Sequence, residues 1–168
     1  KSAQNMRVSI LLSEGDSAVQ EKSVQSLEKA FPAHQPIWRS HTRALLSVVR
    51  EQPDTPRNCT VIDMASEGTR IVVIRDGVLM EQAVLEEGIF SIMQRLSPRG
   101  LPEETLALLR MLEQDQCSGE ACDLLRENLG KAEQELVRVF GEQFTKFSGA
   151  HRVPNELILL AHPDVAPW

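Results

Sequence analysis

The sequence predicts a mixed α/β fold, in which a small β-sheet is flanked by helices and carries a helical insertion. Three runs rich in Val and Ile follow one another between residues 59 and 85. Helical periodicity lies on both sides of these runs, and a last apolar run at residues 156–161 follows an acidic helical segment. Strand-like and helix-like patterns that alternate in this way are typical of mixed α/β domains. A chain of 168 residues can form one domain or two small ones.

The N-terminal segment predicts a strand, a helix and a second strand. Arg7–Leu12 is a short apolar run that ends in a turn signal. Asp16 or Ser17 can cap a helix that continues to Phe31, because short oxygen-bearing side chains satisfy the first free N–H groups of a helix. Prolines then break the helix, and Gln35–Trp38 is a candidate for a second short strand.

A second helix is predicted to begin after Ser40, which is again a good N-cap residue. Its apolar positions recur at helical spacing, and the predicted stripe consists of Ala44, Leu45, Val48 and Val49.

The central segment predicts three consecutive strands. Thr60–Met64 is followed by a tight turn at Ala65–Gly68, and Thr69–Arg75 forms the second strand. The pair Asp76-Gly77 marks a two-residue hairpin, since both residues tolerate the positive φ that such turns require. Val78–Leu85 is the third strand.

Three helices and a strand complete the prediction. Residues 89–96 have helical periodicity and end before a proline, and Pro102 begins a further helix with two acids in its first turn. A long helix is predicted over Glu120–Phe147, and Glu156–Ala161 is a strand.

These elements divide the chain into four segments. Residues 1–38 form a strand-helix-strand segment, and residues 39–100 hold a linker helix and the three-stranded unit. Residues 101–150 form an acidic helical subdomain. Residues 151–168 form a return strand and the C-terminal segment that follows it. The acidity is concentrated, because residues 101–142 carry 10 acids and 4 bases while the rest of the chain is balanced.

Charge and hydropathy exclude two classes of partner. The net charge is −6 and the basic residues form no stripe, so a nucleic-acid backbone would meet no attractive surface. No apolar run approaches the ~20 residues that a membrane-spanning helix needs. We therefore expect no nucleic-acid partner and no membrane span.

The three cysteines predict a reducing compartment. Cys117 and Cys122 are five residues apart, a spacing that fits neither a zinc knuckle nor a redox CxxC pair. Cys59 opens an apolar run and is expected to be a buried small hydrophobic residue. The odd number and the irregular spacing indicate free thiols, and hence the cytoplasm.

One turn combines residues that are suited to binding phosphate: Asp63, Ala65, Ser66, Glu67, Gly68 and Thr69. A strand that ends in Asp, a turn of small residues and then a Thr that opens the next strand resemble the second phosphate loop of the actin-like ATPase superfamily. The order of helices and strands around the turn also resembles that superfamily, in particular its FtsA/PilM-like branch. The resemblance implies an actin-like (ribonuclease H-like) half-domain.

By this resemblance, the turn would face a nucleotide through its backbone N–H groups, and Asp63 would hold Mg²⁺ through water. ATP or ADP with Mg²⁺ is therefore the expected ligand of the intact protein. Ala65 and Ser66 stand where relatives carry glycine, and Arg70 stands where many carry an acid. A Cβ narrows the approach of phosphate to the backbone. These departures predict a degenerate site with little or no ATP hydrolysis.

The resemblance further implies a cytoplasmic scaffold beneath the inner membrane, acting in cell division or type IV pilus assembly. Its expected partners are proteins of a membrane-associated assembly, together with further copies of itself. The first phosphate loop would lie before Lys1 and the adenosine loop near His162, which has no glycine beside it. We therefore expect the chain to be part of a longer protein.

Three other interpretations remain open. Asp63 and Thr69 can simply cap and fix a strand turn, and Glu67 can be a solvated residue instead of an acid that orients water. An active actin-like ATPase or kinase would use the same loop. The first 63 residues also resemble a response-regulator receiver phosphorylated on Asp63, although an immediate β-hairpin follows that residue.

Overall fold

A computed structural model describes residues 10, 12, 14–34, 36–97, 100–150 and 152–161. The chain divides into two compact units, Lys1–Thr55 and Pro56–Trp168. The first unit holds two helices and the second holds a sheet with three helices.

The helices of the first unit begin where their capping residues predict. Helix α1 spans Ser17–Ala30, and the Asp16 carboxylate accepts a hydrogen bond of 2.8 Å from the Ala18 N–H. Helix α2 spans His41–Glu51, and the Ser40 hydroxyl oxygen accepts one of 3.2 Å from the Arg43 N–H. Both predicted N-caps are confirmed.

The buried face of α2 differs from the predicted stripe. Val48 is 54% exposed and Ala44 is also exposed. The buried positions repeat at the three- and four-residue spacing of a helix face, and they are Thr42, Leu45, Leu46 and Val49. The prediction is confirmed for Leu45 and Val49 and wrong for Ala44 and Val48, because the buried face is rotated toward Thr42 and Leu46.

The two predicted N-terminal strands are not found where the structure can test them. Arg7–Leu12 lies largely outside the described residues, and Ile10 and Leu12 are not in a strand. Gln35 is also outside the described residues, and residues 36–38 form no strand.

The second unit contains a four-stranded mixed sheet, which confirms the predicted mixed α/β class. Its strands are β1 (Cys59–Met64), β2 (Thr69–Arg75), β3 (Val78–Leu85) and β4 (Leu157–Leu160). The order across the sheet is β3-β2-β1-β4. Neighbours β1, β2 and β3 are antiparallel, whereas β4 is parallel to β1, with Ile158 opposite Val61.

The hairpin between β2 and β3 forms at the predicted pair. Asp76 and Gly77 both have positive φ, 50° and 72°. The Asp76 N–H donates to the Asn58 side-chain oxygen at 2.9 Å, and the Gly77 N–H donates to the Arg57 carbonyl at 2.9 Å. The segment before β1 therefore holds the hairpin in place.

Three helices follow the hairpin: α3 (Ile89–Leu96), α4 (Pro102–Glu113) and α5 (Glu120–Ala150). One face of α5 places Phe147 against Ile71 and Val73 of the sheet, with Phe140 and Phe144 beside them. A second core joins the three helices, and its buried members are Met93, Leu96, Leu109, Leu125 and Ala132. Within the described residues, no helix has the length and apolar character that crossing a membrane requires.

The cysteines correct the prediction of free thiols. Cys117 and Cys122 form a disulfide bond that links the loop after α4 to the first turn of α5. Sequence spacing missed this bond because the loop folds back on the helix and brings the two Cα atoms to 5.7 Å. Cys59 is fully buried and unpaired, as predicted.

Candidate functional site

The candidate site is the turn between β1 and β2, which holds all six residues singled out from the sequence. The carboxylate of Asp63 is half-buried, and Ser66 and Glu67 are exposed. Thr69, at the start of β2, is fully buried. The turn therefore has an exposed tip and a buried base.

Two polar groups of the turn are used by the fold itself. The Ala65 N–H donates to the Gly68 carbonyl at 2.9 Å, which closes the turn. The buried Thr69 hydroxyl donates to the Glu87 carbonyl oxygen at 2.5 Å, across the sheet from β2 to the end of β3. The Ala65 bond thus closes the turn, and the Thr69 bond fixes it to the segment that follows β3.

Helix α3 begins directly against the turn. The first free N–H groups of α3 donate to the turn's carbonyls, Ile89 to Ala65 at 3.0 Å and Phe90 to Ser66 at 2.9 Å. These bonds satisfy donors that a helix leaves unpaired at its N-terminus. The positive end of the α3 dipole therefore meets carbonyl oxygens of the turn.

Gly88 permits this close contact. A Cβ at Gly88 would lie 2.6 Å from both the Glu67 carbonyl carbon and the Ser66 carbonyl oxygen. Real Cβ atoms do not approach backbone so closely. Only glycine at this position lets the turn and α3 approach each other in this way.

A polar network behind the turn was not predicted. The Ser91 hydroxyl oxygen accepts from the Gly88 N–H at 3.0 Å and donates to a Glu87 carboxylate oxygen at 2.9 Å. The other Glu87 oxygen forms an ion pair with Arg95. A sequence signal was available, because Ser91 stands at the third helical position, where a side chain can bond back to the N-cap.

A basic residue lies opposite Asp63 in the sheet. Asp63 of β1 lies directly opposite Arg70 of β2 in the antiparallel register. Opposite side chains in such a pair share one face of the sheet and lie within about 5 Å at Cβ. The Arg70 side chain therefore leaves the sheet on the same face as that of Asp63, and its Nη1 atom is buried with no hydrogen-bond partner.

The residues near Asp63 do not form a set of metal ligands. No group of three or more His, Cys, Asp or Glu side chains that could hold a metal occurs among the described residues. A cation bound to Asp63 would also meet the charge of Arg70. The described residues around Asp63 therefore do not supply the set of carboxylates that would coordinate Mg²⁺ directly.

The chain was compared with known proteins. No protein-family model and no curated protein matches the sequence. A solved structure titled "PilM-PilN type IV pilus biogenesis complex" is similar, with a TM-score of 0.45 and 21% sequence identity. The similarity covers 70% of this chain and 32% of that chain, so the present chain spans about a third of that protein's length.

Proposed function

We propose that this chain is part of an actin-like, PilM-like scaffold that does not hydrolyse ATP. The scaffold would work in the cytoplasm, at the inner membrane, in type IV pilus assembly. The observation that carries the proposal is the Asp63–Thr69 turn, which has the strand-turn-strand form of a phosphate loop and uses two of its donors, the Ala65 N–H and the Thr69 hydroxyl, within the fold.

Topology supports the actin-like part of the proposal. The turn joins the two central, antiparallel strands β1 and β2, and a hairpin leads on to β3. The parallel strand β4 returns beside β1 only after the helical segment. The sequence resemblance rests on this same order of elements around the turn.

The chemistry of the turn supports a structural role over hydrolysis. Catalysis of phosphoryl transfer depends on oriented donors and on Mg²⁺ that neutralises developing charge. Here the Thr69 hydroxyl and the Ala65 N–H donate within the protein, and Arg70 lies opposite Asp63. These two donors are therefore not available to orient a phosphate group.

A scaffold acts through protein contacts, and the second unit has apolar residues available for them. Among the described residues of this unit, six large apolar side chains are more than half exposed, namely Val84, Phe90, Leu101, Leu124, Val137 and Leu157. Apolar side chains mark association sites where they form a contiguous patch, and these residues are the candidates for such a patch. Segments of a membrane-anchored assembly protein and further copies of the chain are the proposed partners.

The test combines biochemistry with genetics. Phosphate release from Mg-ATP is measured for the parent chain, for Asp63→Asn and for the matched control Asp76→Asn, whose residue lies in the hairpin turn. Each form is then expressed in a host strain from which the gene has been deleted, and surface pili are counted. We expect no phosphate release above background, loss of pili on deletion, and equal restoration by all three forms.

Two results would overturn the proposal. Phosphate release that disappears in Asp63→Asn alone would identify an active ATPase. Normal piliation after deletion would remove the pilus role.

A further inference from the structure

The junction between α4 and α5 carries a covalent link in addition to its hydrogen bonds. Cys117, in the loop after α4, is bonded to Cys122, the third residue of α5. Both side chains are buried, at 6% and 2% exposure. The bond therefore lies under the surface of the loop, next to the core that the three helices share.

Hydrogen bonds connect the loop around the disulfide to both neighbouring helices. The Gln116 N–H donates to the Met111 carbonyl at 2.8 Å, which continues the end of α4 into the loop. The Arg126 guanidinium donates to the Cys117 carbonyl at 3.0 Å and to the Asp123 carboxylate at 2.9 Å. The disulfide is the only covalent cross-link among these contacts in the described chain.

The loop itself supplies little apolar anchoring. Residues 113–116 and 118–121 are all exposed, and Asp115 and Gly119 have positive φ. Between α4 and α5, Cys117 is the one buried residue of the described loop. If the bond opens, the loop keeps mainly solvent-exposed hydrogen bonds, which are the kind that open locally at low cost.

The position of Cys122 favours exchange of the bond. A cysteine in the first turn of a helix is stabilised as a thiolate by the positive end of the helix dipole. The sulfur that forms the more stable thiolate leaves faster in thiol-disulfide exchange. Arg126, one turn further along α5, adds positive charge, and the carboxylates of Glu120 and Asp123 oppose it.

We propose that the Cys117–Cys122 disulfide forms and opens reversibly with redox state. In its oxidised form it holds the α4–α5 junction in place, and its reduction lets the loop open. In reduction, a thiolate of a dithiol attacks the sulfur of Cys117, the residue that is 6% exposed against 2% for Cys122, and Cys122 leaves as a thiolate that takes up a proton. The second thiol of the dithiol then displaces Cys117. The products are two cysteine thiols and an oxidised dithiol, so two electrons and two protons reach the protein.

The reverse reaction uses a small-molecule disulfide such as glutathione disulfide. The two cysteine thiols give up two protons and two electrons, the protein disulfide forms, and two molecules of glutathione are released. A cytoplasmic disulfide in a protein of this kind is expected to be transient and to sense redox state. This inference rests on the cytoplasmic location in the proposed function, but it does not depend on the pilus role.

The experiment is hydrogen exchange followed by mass spectrometry on the whole chain, with and without dithiothreitol. Alkylation of parallel samples counts the free thiols. We expect reduction to release two alkylatable cysteines and to raise exchange across residues 114–126 by about tenfold, with strands β1 and β2 unchanged. Re-oxidation by glutathione disulfide should restore the original exchange.

Two variants make the result specific. The double variant Cys117→Ser/Cys122→Ser should show the same hydrogen exchange as the reduced parent, and dithiothreitol should not change that exchange. The control Cys59→Ser should respond to dithiothreitol as the parent does, since Cys59 takes no part in the bond.

Four outcomes would overturn the proposal. Failure of dithiothreitol to open the bond in the folded chain would show that it is permanent, and failure of glutathione disulfide to re-form it would show that it is not reversible. Reduction without a change in hydrogen exchange at residues 114–126 would show that the bond does not hold the junction in place. A double serine variant that exchanges like the oxidised parent would lead to the same conclusion.

Discussion

Replacing Gly88 by alanine should destabilise the second unit strongly, because the new Cβ meets backbone atoms. It would lie 2.6 Å from both the Ser66 oxygen and the Glu67 carbon. Neither atom belongs to a flexible side chain, so the turn and α3 must move apart. The backbone at Gly88 is extended, with φ −131° and ψ −173°, which alanine adopts freely. The whole effect is therefore steric.

The magnitude follows from two contributions. Overpacking of a tight site costs about 1–3 kcal/mol. Separation of α3 from the turn also weakens the bonds from Ile89 and Phe90 to the turn, each worth about 1 kcal/mol. Because the two contributions overlap, we expect a loss of about 3 kcal/mol in the free energy of unfolding. The corresponding decrease in Tm is on the order of 10 °C.

The assay is urea unfolding followed by circular dichroism, with Gly130→Ala as the matched control. Gly130 lies inside α5, and a Cβ there meets nothing within 4 Å. Alanine inside a helix is more favourable than glycine, so the control should gain about 1 kcal/mol. If Gly88→Ala unfolds within about 0.5 kcal/mol of the parent, a size typical of ordinary surface substitutions, the close contact between turn and helix is refuted.

Three further predictions concern single groups. Thr69→Val should lose about 1–2 kcal/mol because the Glu87 carbonyl loses its buried donor. Thr69→Ser keeps that donor, so a urea midpoint no higher than that of Thr69→Val would contradict the prediction. The hydrogen bond from Arg138 lowers the pKa of Glu135, so this pair stabilises the fold above pH 4.5 and the stabilisation is lost as pH falls through the lowered value. In Arg138→Gln, an NMR titration should find a higher Glu135 pKa, and an unchanged value would exclude the bond. Burial raises the pKa of the Cys59 thiol, so Cys59 should react with a thiol reagent far more slowly in the folded chain than in urea, and equal rates would show that it is accessible.

Much of the local structure could be predicted because its causes lie within a few residues. Asp16 and Ser40 each cap the helix that follows, using only the next turn of backbone. Asp76-Gly77 forms the hairpin because the pair tolerates positive φ. The Val and Ile runs around this pair become strands, with boundaries at or next to those predicted.

The candidate turn was located from the sequence, but its internal bonding was not. Its six residues are adjacent in the chain, so no long-range contact was needed to group them. The partners of Thr69 and Ala65, and the approach of Gly88, depend on where β3 ends and α3 begins. The sequence of the turn does not specify those positions, because they lie in segments about twenty residues further along the chain.

Apart from the two strands predicted before Ser40, the sequence by itself therefore determined the kinds of element, their order and the place of the turn. Only the tertiary structure decided which elements meet: β4 beside β1, Arg70 opposite Asp63, and Cys117 bonded to Cys122. The physical reason is that helix caps and turns satisfy backbone groups locally, whereas strand register and side-chain pairing are fixed by packing between distant segments.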